Sequence, residues 1–373
     1  MRIPYNLLPE GYMDEKQISR SKATIHSGTF SGEYGATFSK DSSGFFKRTT
    51  IESCVTKEPI NDIQFSLHLS GNSGKDYIFG IDPAADADNF ALVILEYHPK
   101  HSRLVYCWTT NKKMHKEQIK LYKQYGLDID ENYYAFCARK IRTLAKLFPT
   151  NRIGIDKQGG GDNIYMLLHD PDKMKEHEDP FWEIEDPEEE RDCDGKPGRH
   201  IVELINFSKA DWTSQANHGL RQDFESKSLL LPYYDDISTI LAEAEDETIE
   251  VSDEERVIRR FDNLEGLYDE VEELKSELTT IVMSQTGVIA REHWDVPEIK
   301  LPNGKKGRLR KDRYSALLIA NMIARQRRLA DAPIEYDPVG GFAASKAKTP
   351  FEEDGGPDYS GPDWFVSQME NVY

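Results

Sequence analysis

Residues 78–96 read IFGIDPAADADNFALVILE, two apolar runs joined by a short acidic loop. Apolar runs of this length, bounded by turn-forming residues, are typical of buried strands. We therefore predict a strand over 76–82 and a second over 89–97. The first strand ends in Asp82. A carboxylate at the end of a buried strand is unfavourable unless it is paired, hydrogen-bonded or bound to a metal.

Further strand and helix patterns follow at short spacing. The run at 103–110 predicts a third strand of an antiparallel meander, and the apolar period of 131–148 predicts a helix. The sequence RIGID at 152–156 predicts another strand, followed by three glycines and a helix. The remaining predicted elements are a strand over 200–207 and helices over 209–229, 253–283 and 314–330. This order predicts a mixed α/β fold in which helices cover a partly parallel sheet.

The negative charge of the chain is concentrated in three segments. The 373 residues carry a net charge of −19. The net charge of 170–194, 235–255 and 331–373 taken together is more negative than that of the whole chain. The remainder is mildly basic, so charge does not exclude a DNA partner. We expect 170–199 to be a loop or insertion too polar to build a core, which could repel phosphate as a flap, and 331–373 to be a disordered tail.

The sequence also predicts the cellular compartment of the protein. No apolar stretch approaches the roughly 20 residues needed to cross a bilayer, and the first 20 residues lack the apolar core of a signal peptide. The cysteines form no C-x-x-C pair, which favours free thiols in a reducing compartment. We expect a cytoplasmic protein without a membrane partner. The cysteines are Cys54, Cys107, Cys137 and Cys193.

Three aspartates stand at the ends of predicted elements. FGID and IGID place Asp82 and Asp156 at the carboxyl ends of two strands, where sites assemble in open α/β sheets. Asp312 stands at the start of the final helix. If these residues meet, their oxygens suit Mg²⁺, and two such ions can promote phosphodiester hydrolysis. We expect Asp82, on the most central strand, to bridge the two ions.

Each aspartate also has an ordinary structural interpretation. Asp82 can form a turn or an N-cap, and Asp156 can cap the helix after the glycines. Asp312 can stabilise a helix start through the macrodipole. Their conjunction on one α/β pattern favours the functional interpretation. Asp88, in the loop after the first strand, is a candidate auxiliary ligand.

Basic residues crowd the loop before the final helix and can neutralise phosphates without reading bases. A solvated loop is the alternative. Trp212 and Trp294 can stack on DNA, although core positions are commoner for such residues. The histidines have no metal-ligand spacing. The candidate DNA-binding residues are Lys305, Lys306, Arg308, Arg310, Lys311, Arg313 and, after the second aspartate, Lys157.

Four blocks of the sequence, FGIDPAADADNFALVILE, NRIGIDKQGGGDNIYMLL, HWDVPE and RKDRYSALLIANMIA, resemble the C-terminal nuclease domain of tailed-bacteriophage large terminase subunits. That resemblance covers roughly 76–330. It implies an RNase H-like mixed sheet flanked by helices and a metal-dependent endonuclease that cuts concatemeric viral DNA. It places the family's acids on Asp82, Asp156 and Asp312, with Asp88 as a further acid, and implies two Mg²⁺ or Mn²⁺ ions.

The resemblance also predicts domains and partners. Residues 1–75 form an irregular extension whose segment 27–48 resembles the end of a terminase ATPase domain and its hinge. No G-x-x-x-x-G-K-[ST] phosphate loop occurs, so we expect the nuclease half, from a split gene, a truncation or a fragment, without ATP hydrolysis. The implied partners are double-stranded DNA, a packaging ATPase, the small terminase subunit and the portal protein, in the host cell cytoplasm.

Other functions remain open from the residues alone. Another RNase H-like enzyme, such as a transposase or junction resolvase, can use the same aspartates. An actin-like sugar kinase or chaperone ATPase also has a first strand ending in GID, but needs a glycine-rich hairpin where this chain has PAADADN. A non-catalytic module that docks to a packaging motor is the third alternative.

Overall fold

The structure is a computed structural model that describes seven stretches of the chain, 44–56, 67–83, 89–186, 191–233, 262–286, 291–300 and 306–331. The first strands are β1 (Val55–Thr56), β2 (Asp76–Asp82), β3 (Phe90–Tyr97), β4 (Ser102–Thr110), β5 (Thr150–Asp156) and β6 (Phe181–Glu183). They are followed by β7 (Arg199–Ile205), β8 (Leu229–Pro232), β9 (Val282–Thr286), β10 (Arg291–Asp295), β11 (Glu298–Lys300) and β12 (Lys306–Arg308). The helices are α1 (Arg48–Glu52), α2 (Lys112–Gln124), α3 (Tyr133–Leu147), α4 (Gly161–His169), α5 (Ala210–Glu225), α6 (Leu264–Thr280) and α7 (Asp312–Asp331).

Eight strands form one sheet in the order β1-β8-β4-β3-β2-β5-β7-β6. Strands β2, β3 and β4 are antiparallel neighbours, as the meander pattern predicts. On the other side of β2, strands β5, β7 and β6 run parallel to one another and to β2. Beyond β4, strand β8 runs parallel to β4 and β1 runs parallel to β8. The predicted mixed α/β sheet is therefore confirmed, and β2 has an antiparallel neighbour on one side and a parallel one on the other.

The centre of the sheet is covered on both faces. Every residue of β3 and β4 is buried, and so are the five interior residues of β2. Successive side chains of a strand point to opposite faces, so this pattern requires packed helices on both sides. The continuous apolar run of 89–97 in the sequence is thus explained by a strand with no solvent-facing side.

Helix α7 crosses β2 and β5 at two glycines. A Cβ atom added at Gly80 lies only 2.0 Å from the carbonyl oxygen of Ala316, and one added at Gly154 lies 2.3 Å from the Ile319 side chain. Neither position leaves room for a side chain larger than hydrogen. The helix therefore lies directly on the sheet backbone at both strands, and this contact sets its height above the sheet.

We expect Gly80→Ala to lower the free energy of unfolding by about 2 kcal/mol or more, because the added methyl overpacks the contact with Ala316. Urea unfolding followed by circular dichroism measures the change. Gly74→Ala is the matched control, since the nearest atom to its added Cβ is 3.5 Å away. Equal stabilities of the two variants contradict the close helix contact.

The acidic segment 170–199 is more ordered than the sequence predicts. It contributes the edge strand β6, which pairs in parallel with β7, and it buries Phe181. Glu178 accepts hydrogen bonds from Arg139 at 2.7 Å and from Lys146 at 2.7 Å. The expectation of a loop too polar to contribute to the core is wrong here, because basic residues of α3 neutralise part of the segment.

Residues before the predicted boundary at 75 share the same core. Phe45 and Phe46 are buried, and the amide of Leu231 donates to the carbonyl oxygen of Cys54 at 3.0 Å where β1 pairs with β8. The boundary at 75 stays a prediction, and residues 1–43 lie outside the described stretches. So do the acidic segment 235–255 and the predicted tail beyond residue 331.

Glu96 is buried at the edge of the sheet opposite Asp82. Arg103 donates to its Oε2 atom at 2.5 Å, and His98 Nε2 lies 2.8 Å from its Oε1 atom. Burial alone raises the pKa of this carboxyl, but the hydrogen bonds with His98 and Arg103 outweigh it and hold the pKa at about 2. The ionised form is therefore favoured by folding.

A carboxyl whose pKa falls on folding contributes stability above its unfolded value, 4.5, and loses that contribution as the pH drops toward about 2. We expect Glu96→Gln to lower the free energy of unfolding at pH 7 by roughly 3 kcal/mol and to flatten its fall in acid. Urea unfolding across this pH range measures both effects. Glu117→Gln, at an exposed position of α2, serves as the control and should match the wild type.

Candidate active site

Asp82 and Asp156 lie side by side at the carboxyl edge of the sheet. Strands β2 and β5 pair in parallel with Ile81 opposite Ile155, so the next residue of each strand is an aspartate. Neighbouring strands are about 4.8 Å apart. The side chains of a strand alternate between faces, so both aspartates share the face of Gly80 and Gly154, on which α7 packs.

Helix α7 brings the third aspartate to this edge. Asp312 precedes Ala316 by four residues, about 6 Å of helix, and Asp82 follows Gly80 by two residues, about 6.6 Å of strand. The contact between Ala316 and Gly80 therefore brings Asp312 level with Asp82. Asp312 is 7% exposed, and its Oδ2 atom accepts a hydrogen bond from the Asn89 amide at 3.0 Å.

The electrostatics of Asp82 reflect this convergence. Burial raises its pKa well above the ordinary value, and the negative charges of Asp156 and Asp312 raise it further. A hydrogen bond with Ser315 and the charge of Lys311 act in the opposite direction. Carboxylates held close enough to repel one another are stabilised by a cation placed among them.

Asp156 has weaker perturbations of the same kind. Burial raises its pKa, whereas a hydrogen bond from the Gln158 amide, 3.0 Å from Oδ1, and the charge of Lys311 lower it. One cationic side chain thus acts on both strand-end aspartates. Lys311 also forms an ion pair, at 3.1 Å, with Asp295, the last residue of β10.

The donors present fit Mg²⁺ or Mn²⁺. Three carboxylates supply hard oxygen ligands, which both ions prefer over the softer donors of histidine and cysteine. Among the described residues, no group of three or more His, Cys, Asp or Glu side chains lies close enough to form a closed ion site. The aspartates therefore share an edge and an electrostatic field, and their role as ligands stays a prediction. Asp88 lies outside the described residues.

The predicted DNA-binding residues fall into three groups. Lys157 and Arg310 are exposed, and Lys311 lies near the aspartates. Lys306 and Arg308 belong to β12, which pairs with β11 as a hairpin, and the structure describes only their backbone. Lys305 lies outside the described residues.

Arg313 has a different environment from the one predicted. Its side chain is buried, its Nε atom donates to Glu270 at 2.6 Å and its Nη1 atom donates to Glu277 at 2.7 Å. Glu277 also accepts a hydrogen bond from the Tyr314 amide at 3.0 Å, so it caps the first turn of α7. The prediction that Arg313 contacts DNA phosphate is wrong, because its buried guanidinium is bound to Glu270 and Glu277 and holds the helix that carries Asp312.

We expect Arg313→Ala to lower the free energy of unfolding by about 3 kcal/mol, because it leaves Glu277 buried without its charge partner. Thermal or urea unfolding measures the loss. Arg310→Ala, at an exposed position three residues earlier, should change stability by less than about 0.5 kcal/mol. An Arg313→Ala variant as stable as wild type, with weakened DNA binding, restores the original prediction.

Other predicted contacts have plain structural roles. Trp294 is 5% exposed and meets Phe45 at a ring-centroid distance of 5.8 Å, so the core alternative is confirmed for it. Trp212 packs against Phe207. Sequence reasoning missed Asn89 and Glu277, which hold Asp312 and its helix. No local pattern marks either residue, because their partners lie far away in the chain.

The sheet, with β2, β3 and β4 as antiparallel neighbours and β5, β7 and β6 parallel to β2, has the mixed arrangement expected from the sequence resemblance. No protein-family profile and no curated protein matches the sequence. Solved structures similar to the chain include terminase nucleases and large terminases.

Three examples give the extent of that similarity. The large terminase nuclease of thermophilic phage G20c with bound magnesium is 10% identical, with a TM-score of 0.40 over 76% of this chain and 98% of that one. The HK97 bacteriophage large terminase is 12% identical, with a TM-score of 0.36 over 84% of this chain and 52% of that one. The manganese-soaked human cytomegalovirus terminase nuclease domain is 14% identical, with a TM-score of 0.27 over 55% of this chain and 88% of that one.

Proposed function

We propose that the protein is a metal-dependent DNA endonuclease that cuts concatemeric viral DNA during genome packaging. The observation that carries this proposal is the convergence of Asp82, Asp156 and Asp312, which come from distant parts of the chain, on one edge of the sheet. Three carboxylates in one electrostatic field are unfavourable for folding. A divalent cation bound among the three carboxylates would neutralise their repulsion, so their convergence supports a metal site.

In this proposal Asp82, Asp156 and Asp312 would hold two Mg²⁺ or Mn²⁺ ions, with Asp82 as the shared ligand and Asp88 as an auxiliary one. When bound, such ions activate a water molecule and stabilise the leaving oxygen of a phosphodiester. The Asn89 amide orients the Asp312 carboxylate, and the Gln158 amide orients that of Asp156. Lys311 lies where it can offset negative charge as the phosphate enters.

Double-stranded DNA is the proposed substrate. Exposed Lys157 follows Asp156 and exposed Arg310 precedes Asp312 by two residues, the β11–β12 hairpin carries Lys306 and Arg308, and Lys305 is a further candidate outside the described residues. Contacts of this kind neutralise phosphates and position a duplex without reading its sequence. Under the same proposal the chain works in the host cell cytoplasm with a packaging ATPase, a small terminase subunit and a portal protein. No helix among the described residues is both long and apolar enough to cross a bilayer.

Two alternatives are kept. Another RNase H-like nuclease, transposase or resolvase can use the same three aspartates on the same sheet. A docking module for a packaging motor needs the fold but not the carboxylates. The mutual repulsion of the carboxylates favours a catalytic site over a docking module, because a binding surface gains nothing from it.

We expect the purified protein to nick supercoiled plasmid with Mg²⁺ or Mn²⁺ and to lose this activity in EDTA. Asp82→Asn should reduce nicking by about 100-fold or more, since a metal ligand contributes several kcal/mol to the transition state. Gel electrophoresis of the plasmid forms measures the rate.

The matched control is Asp76→Asn, which makes the same change at the opposite end of the same strand. It should cleave at the wild-type rate. Cleavage that survives Asp82→Asn removes the proposed role of that residue, and a wild type inactive with both metals favours the docking module.

A further inference from the structure

Helix α2 begins at the edge of the sheet that carries the aspartates. Strand β3 is antiparallel to β2, and β4 is antiparallel to β3, so β4 ends where β2 ends. Helix α2 follows immediately, with Asn111 as its N-cap. Its 13 residues extend about 20 Å from this edge.

One face of α2 is made of lysines. Lys113, Lys116 and Lys120 are exposed, and at 3.6 residues per turn they fall within an arc of about 60°. We call these three side chains the lysine face. No ion pair between described residues involves any of them, whereas Lys123, at the end of the helix, pairs with Glu131 at 2.5 Å. Their positive charge is thus presented to solvent.

The helix beneath the lysine face is anchored near its start by His115, the one residue of the helix that is buried. His115 is buried on the opposite side, where its Nε2 atom donates to the carbonyl oxygen of Asp130 at 2.8 Å. Its ring stacks on Phe136 at a centroid distance of 4.6 Å. These contacts of His115 hold the first turns of the helix, where Lys113 and Lys116 lie, against the protein.

A chain of hydrogen bonds connects this helix to the third aspartate. The Asn89 amide donates to Asp312, and Asn111 Nδ2 donates to Asn89 Oδ1 at 3.1 Å. Asn111 Oδ1 in turn accepts from the amides of Lys113 and Met114, both at 3.0 Å. The start of helix α2 is thus connected to Asp312 through Asn111 and the backbone amide and side chain of Asn89.

We propose that the lysine face binds the phosphate backbone of duplex DNA and guides the duplex to the carboxylate edge. The inference rests on the proposed nuclease function and adds a surface made of residues other than those of the basic loop before α7. Lys113 and Lys120 are about 10 Å apart along the helix, or about three phosphate steps of 3.4 Å. Lysine contacts phosphate as a flexible point charge, so the surface contributes affinity without sequence preference.

The test compares two double variants that remove the same charge. Lys116→Gln/Lys120→Gln alters the lysine face, and glutamine keeps a helix propensity close to that of lysine. Lys100→Gln/Lys227→Gln is the matched control, since both residues are exposed and lie at the edge where β4 and β8 begin. Fluorescence anisotropy with a short duplex DNA in EDTA, over a series of salt concentrations, measures binding without cleavage.

The slope of log K against log salt should fall by about 2 for the lysine-face variant, because each of the two lysines removed neutralises about one phosphate. It should stay at the wild-type value for the control. Equal slopes for the two variants overturn the inference and leave the nuclease proposal intact, because that proposal is tested by Asp82→Asn. A wild type without salt-dependent DNA binding also overturns it and leaves an acidic protein as the partner of this face.

If the plasmid assay shows no cleavage but the slope still depends on the lysine face, the DNA-binding inference stands and the nuclease proposal fails. The two failures are therefore distinguishable. A loss of folding is monitored by circular dichroism of both variants, and neither pair of lysines has a buried side chain.

Discussion

The direct contact of α7 with the backbone of β2 and β5 is the constraint on which the candidate site depends. Gly80 and Gly154 let the helix lie closer to the sheet than any side chain permits. The height and register of the helix then decide where its first residue, Asp312, meets the strand ends. A methyl group at either glycine would displace the helix and move the third carboxylate away from the other two. The glycines are therefore important for the site although they take no part in its chemistry.

Buried charges hold the same helix at both ends. At its start, Arg313 bonds Glu270 and Glu277, and at its far end Arg325 and Arg328 bond Asp223 at 2.8 and 2.9 Å. Ion pairs inside a protein are weak sources of stability but have strong geometric requirements. These ion pairs fix the position of α7 along and around its axis, because hydrophobic contacts alone allow a helix to slide and rotate.

Local pattern was sufficient for much of this structure. The apolar runs predicted the strands β2 to β5, and the two GID sequences placed Asp82 and Asp156 at strand ends. The sequence did not predict that Asn89 bonds Asp312 or that Glu277 holds the start of α7, because packing between distant segments brings these residues together. Charge misled twice, at Arg313 and in the acidic segment 170–199, since composition does not tell which charges meet an opposite one. The lysine face, by contrast, has a 3–4 spacing that the sequence already contains.

The short parallel pairing of β1 with β8 has a consequence for how the chain acquires its fold. The Cys54 thiol donates to the carbonyl oxygen of Phe224 at 3.1 Å, across a sequence separation of 170 residues. Interactions so distant in sequence form late, because a long loop must close before the two segments can meet. During synthesis on the ribosome, Phe45, Phe46 and Ile51 wait without their partners until α5 and β8 have emerged. The nascent chain thus carries an exposed apolar segment while the residues between α1 and β8 are translated, a natural target for chaperones.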